Sequence, residues 1–283
     1  MDETTVPTEF EVTGAHLAGS VEGHGPRFVW LHALTSSRAR EQRRGIYDWS
    51  SLTGEFTVVR YDARGHGGSS GAPVPDDYVW RGLARDLLEV LTALGDDPAA
   101  VGGASMGAAT ALWAALAAPE RIRALVLATP PAAWEWQQPQ RTGWQKSAHV
   151  IEKYGLAELT RRAAGVPPAP LFAGHPELAG ASPDVAEPLL PAVLRGAAAS
   201  DLPGAAELAG LRVPALVLGW EGDPDHPAEM ARLLARHLPD SRLVIARELP
   251  ETLEWPGQVR TFLSSALHGR RAADTDGGCY GQN

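Results

Sequence analysis

Val101-Gly102-Gly103-Ala104-Ser105-Met106-Gly107-Ala108-Ala109 is the stretch on which the architecture turns. Ala99 to Ala104 is apolar and of strand length, Ala108 to Ala117 is an Ala-rich helical pattern, and Ser105 occupies the sharp turn between them. Gly103 and Gly107 remove side chains that would collide with neighbouring backbone in so tight a turn, and the serine hydroxyl is left projecting. Ser105 is therefore a nucleophile candidate. The competing reading is an ordinary Gly-rich turn between a strand and a helix.

Outward from this turn, strands and helices alternate. Phe28 to Leu31 and Phe56 to Tyr61 read as short buried strands ending at His32 and Asp62. Val79 to Leu94 places Trp80, Leu83, Leu87, Leu91 and Leu94 on one face of an amphipathic helix, and Arg123 to Ala128 is a further strand. Such alternation predicts an α/β fold, a mostly parallel twisted sheet flanked by helices. The regularity lapses over 130-210, which is rich in Pro, Ala and Trp, and resumes with a strand at Pro214 to Gly219. A helix at Ala228 to Leu238, a strand at Arg242 to Ala246 and a helix at Gln258 to Leu267 follow. The expected organisation is a core of 1-129 and 211-268, a helical lid at 130-210 that includes a helix over Ser147 to Ala164, and a disordered tail at 269-283.

Composition limits the function. With 44% hydrophobic and 21% charged residues the chain has globular character, and no apolar run approaches the ~18 residues needed to span a bilayer. A formal net charge of -9 argues against a nucleic-acid partner. The sole cysteine, Cys279, excludes an intrachain disulfide and a cysteine-based zinc site, and the acidic start lacks an apolar signal region, so a cytoplasmic location is expected. No dinucleotide or phosphate-loop motif occurs and the scattered His and Asp show no metal-ligand spacing, so neither cofactor nor metal is expected.

Four motifs between about Phe28 and Leu267 give the chain its resemblance to the α/β-hydrolase fold superfamily. Leu31-His32-Ala33-Leu34-Thr35 resembles the oxyanion loop after the third strand, and Tyr61-Asp62-Ala63-Arg64-Gly65-His66-Gly67-Gly68-Ser69 resembles the loop after the fourth. The third is the serine turn, and the fourth, Gly219 to Pro227, resembles the loop that supplies the acid. The resemblance implies that Met106 and Leu34 offer backbone N–H groups to an oxyanion, that Asp223 is the triad carboxylate with Glu221 as fallback, and that His32 and His66 brace loops beside the site. Ala33 departs from the family's usual Gly.

The pattern fails at the base. The family places its histidine after the last strand, where this chain has Leu249, and no histidine occurs between His237 and His268. Three explanations stand: His226, three residues after Asp223, serves from a different loop; one of His32, His66, His149 or His175 does; or no relay exists. Trp134, Trp136, Trp144 and Trp220 are candidates to line an apolar pocket for a small hydrophobic or aromatic substrate, although packing alone would account for most tryptophans. The leading expectation is a serine-dependent enzyme for a small hydrophobic ester, thioester, lactone or related carbonyl compound. The alternative is a degenerate member that binds a ligand or catalyses a cyclisation, elimination or rearrangement.

Overall fold

A computed structural model describes residues 6–166, 170–172 and 182–268. The first half contains β1 (Val6–Val12), β2 (Ala15–Gly23), β3 (Arg27–Leu31), α1 (Arg38–Arg44), β4 (Thr57–Tyr61), α2 (Trp80–Leu94), β5 (Ala99–Ala104), α3 (Met106–Ala117) and β6 (Ile122–Ala128). The second half contains α4 (Gln138–Tyr154), α5 (Leu156–Ala163), α6 (Leu190–Ala198), α7 (Ala205–Gly210), β7 (Ala215–Trp220), α8 (Ala228–His237), β8 (Ser241–Ala246), α9 (Leu249–Leu253) and α10 (Trp255–His268). Among the described residues the strands form one sheet in the order β1-β2-β4-β3-β5-β6-β7-β8. From β4 to β8 every pairing is parallel, and the β1–β2 hairpin joins β4 antiparallel. This is the α/β architecture expected from the alternating pattern.

The strands β3 to β7 are buried on both faces, and their side chains alternate between two cores. Val29, Val101, Leu125, Leu127 and Val217 pack on the side of α2, α3 and α8. Phe28, Trp30, Ala100, Val126 and Leu218 pack on the other side with Trp255, Val259 and Leu263 of α10. That alternation follows from the two-residue period of a strand, and two covered faces explain why the strands read as continuous apolar runs. Because β3, β5, β6 and β7 run parallel, their carboxyl ends converge at one edge, where such sheets hold ligands.

Two elements differ from expectation. The helix expected over Ser147 to Ala164 is two helices: Pro139 opens α4 at its first turn, and Gly155, with φ 83°, breaks the chain before α5. The β1–β2 hairpin had no counterpart among the expected strands, because Pro7 and the mixed polar composition blur its alternation. Within 130-210, α4 and α6 enclose their own small core of Ala148, Ile151, Val185, Leu190 and Val193 with Tyr78, whereas Leu202 and Leu208 join the core on the α2/α3 side. The expected tail at 269-283 lies outside the described residues. No helix among the described residues is long and apolar enough to cross a membrane.

An acid is buried in this frame. Glu41 of α1 is 5% exposed and accepts hydrogen bonds from Trp30 Nε1 at 2.8 Å and from the Ala33 backbone N–H at 2.9 Å. Burial pushes its carboxyl up to about 7, against the opposing pull of those two donors and of Arg44 and Arg60. The folded-state value exceeds the unfolded value of 4.5, so its stabilising effect is complete below about 4.5 and is lost as pH rises through 7. At 1.36 kcal/mol per unit the difference amounts to at most ~3 kcal/mol. Glu41→Gln should lose that slope. Urea unfolding at pH 5 and pH 8.5 is expected to show the variant gaining ~1–3 kcal/mol relative to wild type at the higher pH. A second outcome concerns the serine turn. A methyl group on Gly107 would collide with the Leu31 carbonyl, so Gly107→Ala is expected to destabilise by ~2–4 kcal/mol, whereas Gly54→Ala, which meets open space, should stay within ~0.5 kcal/mol in the same assay.

Candidate active site

Ser105 follows β5 with φ 51° and ψ -110°, a positive-φ conformation that residues with side chains rarely adopt. Its N–H donates to the Ala128 carbonyl at 3.0 Å, and α3 begins at the next residue. A Cβ on Gly103 would lie 2.5 Å from Gly107 backbone carbon, so both glycines are sterically required. Ser105 is 5% exposed. Met106 is the first residue of α3, where backbone N–H groups have no partner within the helix and the helix dipole favours negative charge.

The loop between β7 and α8 brings Asp223 and His226 to the same edge. Ser105 Oγ and His226 Nε2 are 2.9 Å apart, and His226 Nδ1 and Asp223 Oδ2 are 3.0 Å apart. Donation from Nδ1–H to the carboxylate leaves Nε2 as the acceptor facing the serine hydroxyl. Asp223 Oδ1 accepts the backbone N–H groups of Asp225 at 2.9 Å and His226 at 3.0 Å. One carboxylate thus closes a local turn and orients the imidazole. Burial on its own would raise the Asp223 carboxyl, but His226 and the backbone donors hold it below its ordinary range. For His226 burial lowers the imidazole, and the Asp223 carboxylate outweighs it, leaving the pKa raised. From α4, Gln140 Nε2 donates to the Asp225 carbonyl at 3.0 Å and steadies the loop.

The other candidate bases are engaged elsewhere. His32 donates from Nδ1 to the Ala33 carbonyl at 2.8 Å and accepts the Ala63 N–H at Nε2 at 2.9 Å, which makes it a brace between two loops. His66, with its ring 5.1 Å from His32, donates from Nδ1 to the Arg64 carbonyl, and burial together with His32 holds its imidazole down to about 3. His149 is exposed on α4, and His175 lies outside the described residues. Leu249 opens α9 and packs against the core formed with Trp220 and Trp255. Glu221, the fallback carboxylate, pairs with Arg232 instead.

The loop after β3 carries Leu34 between two engaged groups: Ala33 N–H is held by Glu41, and Ser36 N–H donates to the Ala33 carbonyl at 3.0 Å. Thr35 follows with φ 58°, a β-branched residue in the left-handed region, at a cost of ~1–3 kcal/mol. The tryptophans are dispersed. Trp220 is 7% exposed, stacks on Trp255 at 5.9 Å and meets Phe172 edge-on at 5.6 Å, close to the Asp223 loop. Trp134 donates to the Pro203 carbonyl and lies edge-on to His237, Trp144 packs edge-on against Trp80, and Trp136 is 46% exposed. Glu41 escaped notice in the sequence, as did Tyr47, whose hydroxyl lies 3.3 Å from Thr129 Oγ1 at the end of β6. Neither carries a spacing signal. Among the described residues no group of three or more His, Cys, Asp or Glu is arranged to hold a metal ion.

Comparison with known proteins places the chain in a family. The model of the alpha/beta hydrolase fold family matches residues 26–165. The 3-oxoadipate enol-lactonase 1 of Acinetobacter baylyi is 36% identical over 140 residues, so that match spans half of each chain. The 3-oxoadipate enol-lactonase 2 of the same organism is 27% identical over 229 residues, 78% of this chain and 80% of the relative. The crystal structure of a hydrolase from Pseudomonas aeruginosa PA01 superposes with a TM-score of 0.73 at 26% identity, covering 94% of this chain and 98% of the other. By its serine turn, its sheet order and these likenesses, the chain belongs to the α/β-hydrolase fold family.

Proposed function

We propose that this chain is a serine hydrolase for small hydrophobic carbonyl substrates, with lactones and esters as the substrate class. The observation that carries the reading is the continuous path Ser105 Oγ, His226 Nε2, His226 Nδ1, Asp223 Oδ2, with contacts of 2.9 and 3.0 Å. The relatives named as enol-lactonases support the substrate class. Trp220 and Phe172 form an edge-on aromatic contact at the end of β7, just ahead of the Asp223 loop.

In this reading Ser105 Oγ attacks the carbonyl carbon while its proton passes to His226 Nε2. The carbonyl oxygen becomes an anion received by the N–H groups of Met106 and Leu34. As the tetrahedral adduct collapses, the C–O bond to the leaving oxygen breaks and the imidazolium returns its proton to that oxygen; in a lactone this oxygen stays tethered to the acyl group. Water then attacks the acyl-serine with His226 again as base, and the acid and free Ser105 are released. Asp223 remains ionised throughout and stabilises the imidazolium.

Ser105→Ala and His226→Ala should each lower kcat/KM on a panel of small lactones and p-nitrophenyl esters by ~10⁴-fold. A fluorophosphonate probe is expected to label wild type and to miss Ser105→Ala. Full activity in Ser105→Ala would overturn covalent catalysis in favour of a non-hydrolytic or binding role. The pH profile has a defined sign. A base must be neutral to accept the serine proton, and Asp223 raises the His226 pKa above its ordinary 6.5, so kcat/KM should rise with pH along an acid limb centred above 6.5. Asp223→Asn should reduce the plateau and move that limb to lower pH.

A further inference from the structure

The geometry points to Asp184 as a positioning residue that holds the Leu34 N–H in place from outside the sheet core; the inference rests on the oxyanion role proposed for Leu34. Asp184 lies on the stretch that leads into α6, and it bonds at three points to two segments, the loop after β3 and the loop after β4. Its backbone N–H donates to the Thr35 carbonyl at 2.8 Å. Its carboxylate accepts the Ser37 hydroxyl, and its carbonyl accepts the Gly67 N–H at 2.8 Å. The next residue, Val185, forms an isolated β-bridge with His66. Arg40 reinforces the contact: Nη1 donates to the Thr35 carbonyl at 3.1 Å and to the Ser182 carbonyl at 2.9 Å.

These bonds fall where the loop most needs restraint. Thr35 adopts φ 58°, which a threonine keeps only under external constraint. Leu34 sits between a residue held from below, Ala33 by Glu41, and a residue held from above, Thr35 by Asp184. Ser37 is also the N-cap of α1, its oxygen accepting the Arg40 N–H at 3.1 Å while its hydroxyl serves Asp184. Loss of the Asp184 carboxylate therefore frees the Ser37 hydroxyl and with it the start of α1, two residues beyond Thr35, whose carbonyl keeps the Asp184 backbone N–H and Arg40. A donor moved by about 1 Å from a developing charge costs up to ~100-fold in rate, so Asp184 acts on turnover without touching substrate.

The test follows the second-order rate of Ser105 phosphonylation by a fluorophosphonate across pH, a reaction that needs the same nucleophile, base and oxyanion donors. Labelling of wild type and its absence in Ser105→Ala establish the hydrolase reading; if wild type is not labelled, that reading fails and this inference with it. Given labelling, Asp184→Ala should lower the plateau rate ~10- to 100-fold with the midpoint of the acid limb unchanged, because His226 is undisturbed. Ser37→Ala should lower it in the same way, and the double variant should be less than additive. Arg195→Gln, which removes an exposed ion pair with Glu152 between α6 and α4, serves as the control and should stay within twofold. Should Asp184→Ala fail to fold by circular dichroism, Ser37→Ala, which removes the same bond from the other side, decides the matter. A plateau within twofold of wild type in the folded variants, a loss equal to that in Arg195→Gln, or a shift of the midpoint would overturn the role.

Discussion

Close backbone contact at the serine turn governs the rest of the molecule. Gly107 lies so near the Leu31 carbonyl, and Gly103 so near Gly107, that β3, β5 and α3 meet without a side chain between them. Only that proximity lets the chain reverse from strand to helix in a single residue with φ 51°. It sets the height of Ser105 above the sheet and aims the start of α3 at the same point. The loops after β3 and β7 open on the same edge as Ser105 because β3 pairs with β5 directly and β7 lies one strand further on, beyond β6, all in parallel register. The alanines of α3, most of them fully buried, keep the helix close to the sheet and preserve the contact.

Around this fixed point the neighbouring loops are tied by buried polar groups rather than by apolar packing alone. Glu41 fastens the loop after β3 to Trp30, Asp62 binds the N–H groups of Arg38 and Gly68, and Arg64 pairs bidentately with Asp86. Such groups are costly to bury and harsh to break, so they favour one loop arrangement over near alternatives. Asp223 follows the same logic inside a single loop, where one carboxylate satisfies two backbone donors and an imidazole.

Legibility in the sequence tracks how local each constraint is. The serine turn demands small residues at fixed offsets, and parallel strands buried on both faces demand apolar runs, so both stand out in one chain. The β1–β2 hairpin does not, because an edge hairpin with mixed faces tolerates Pro7 and several acidic residues. The break at Gly155 was equally hidden: a glycine within a helical pattern is common, and its left-handed φ becomes visible only in three dimensions. His226 was one of several open choices for the base. The proposed relay requires an imidazole at a point in space, and any loop at the carboxyl edge of the sheet can deliver one. Asp184 and Glu41 left no trace, since backbone partners carry no sequence signature and their side-chain partners, the Ser37 hydroxyl and the Trp30 indole, stand at no telling spacing from them.

The three-residue spacing between Asp223 and His226 bears on how this scaffold can change over evolutionary time. Where acid and base come from separate loops, the segment following the last strand is bound to the chemistry and resists insertion or loss. Here both reside between Gly222 and Pro227, so β8, the outermost strand, and α9 owe nothing to the proposed relay. That margin of the domain is released to drift, to lengthen or to acquire a partner surface. The proposed acid and base can meanwhile be inherited, or transplanted to a sister scaffold, as one short cassette.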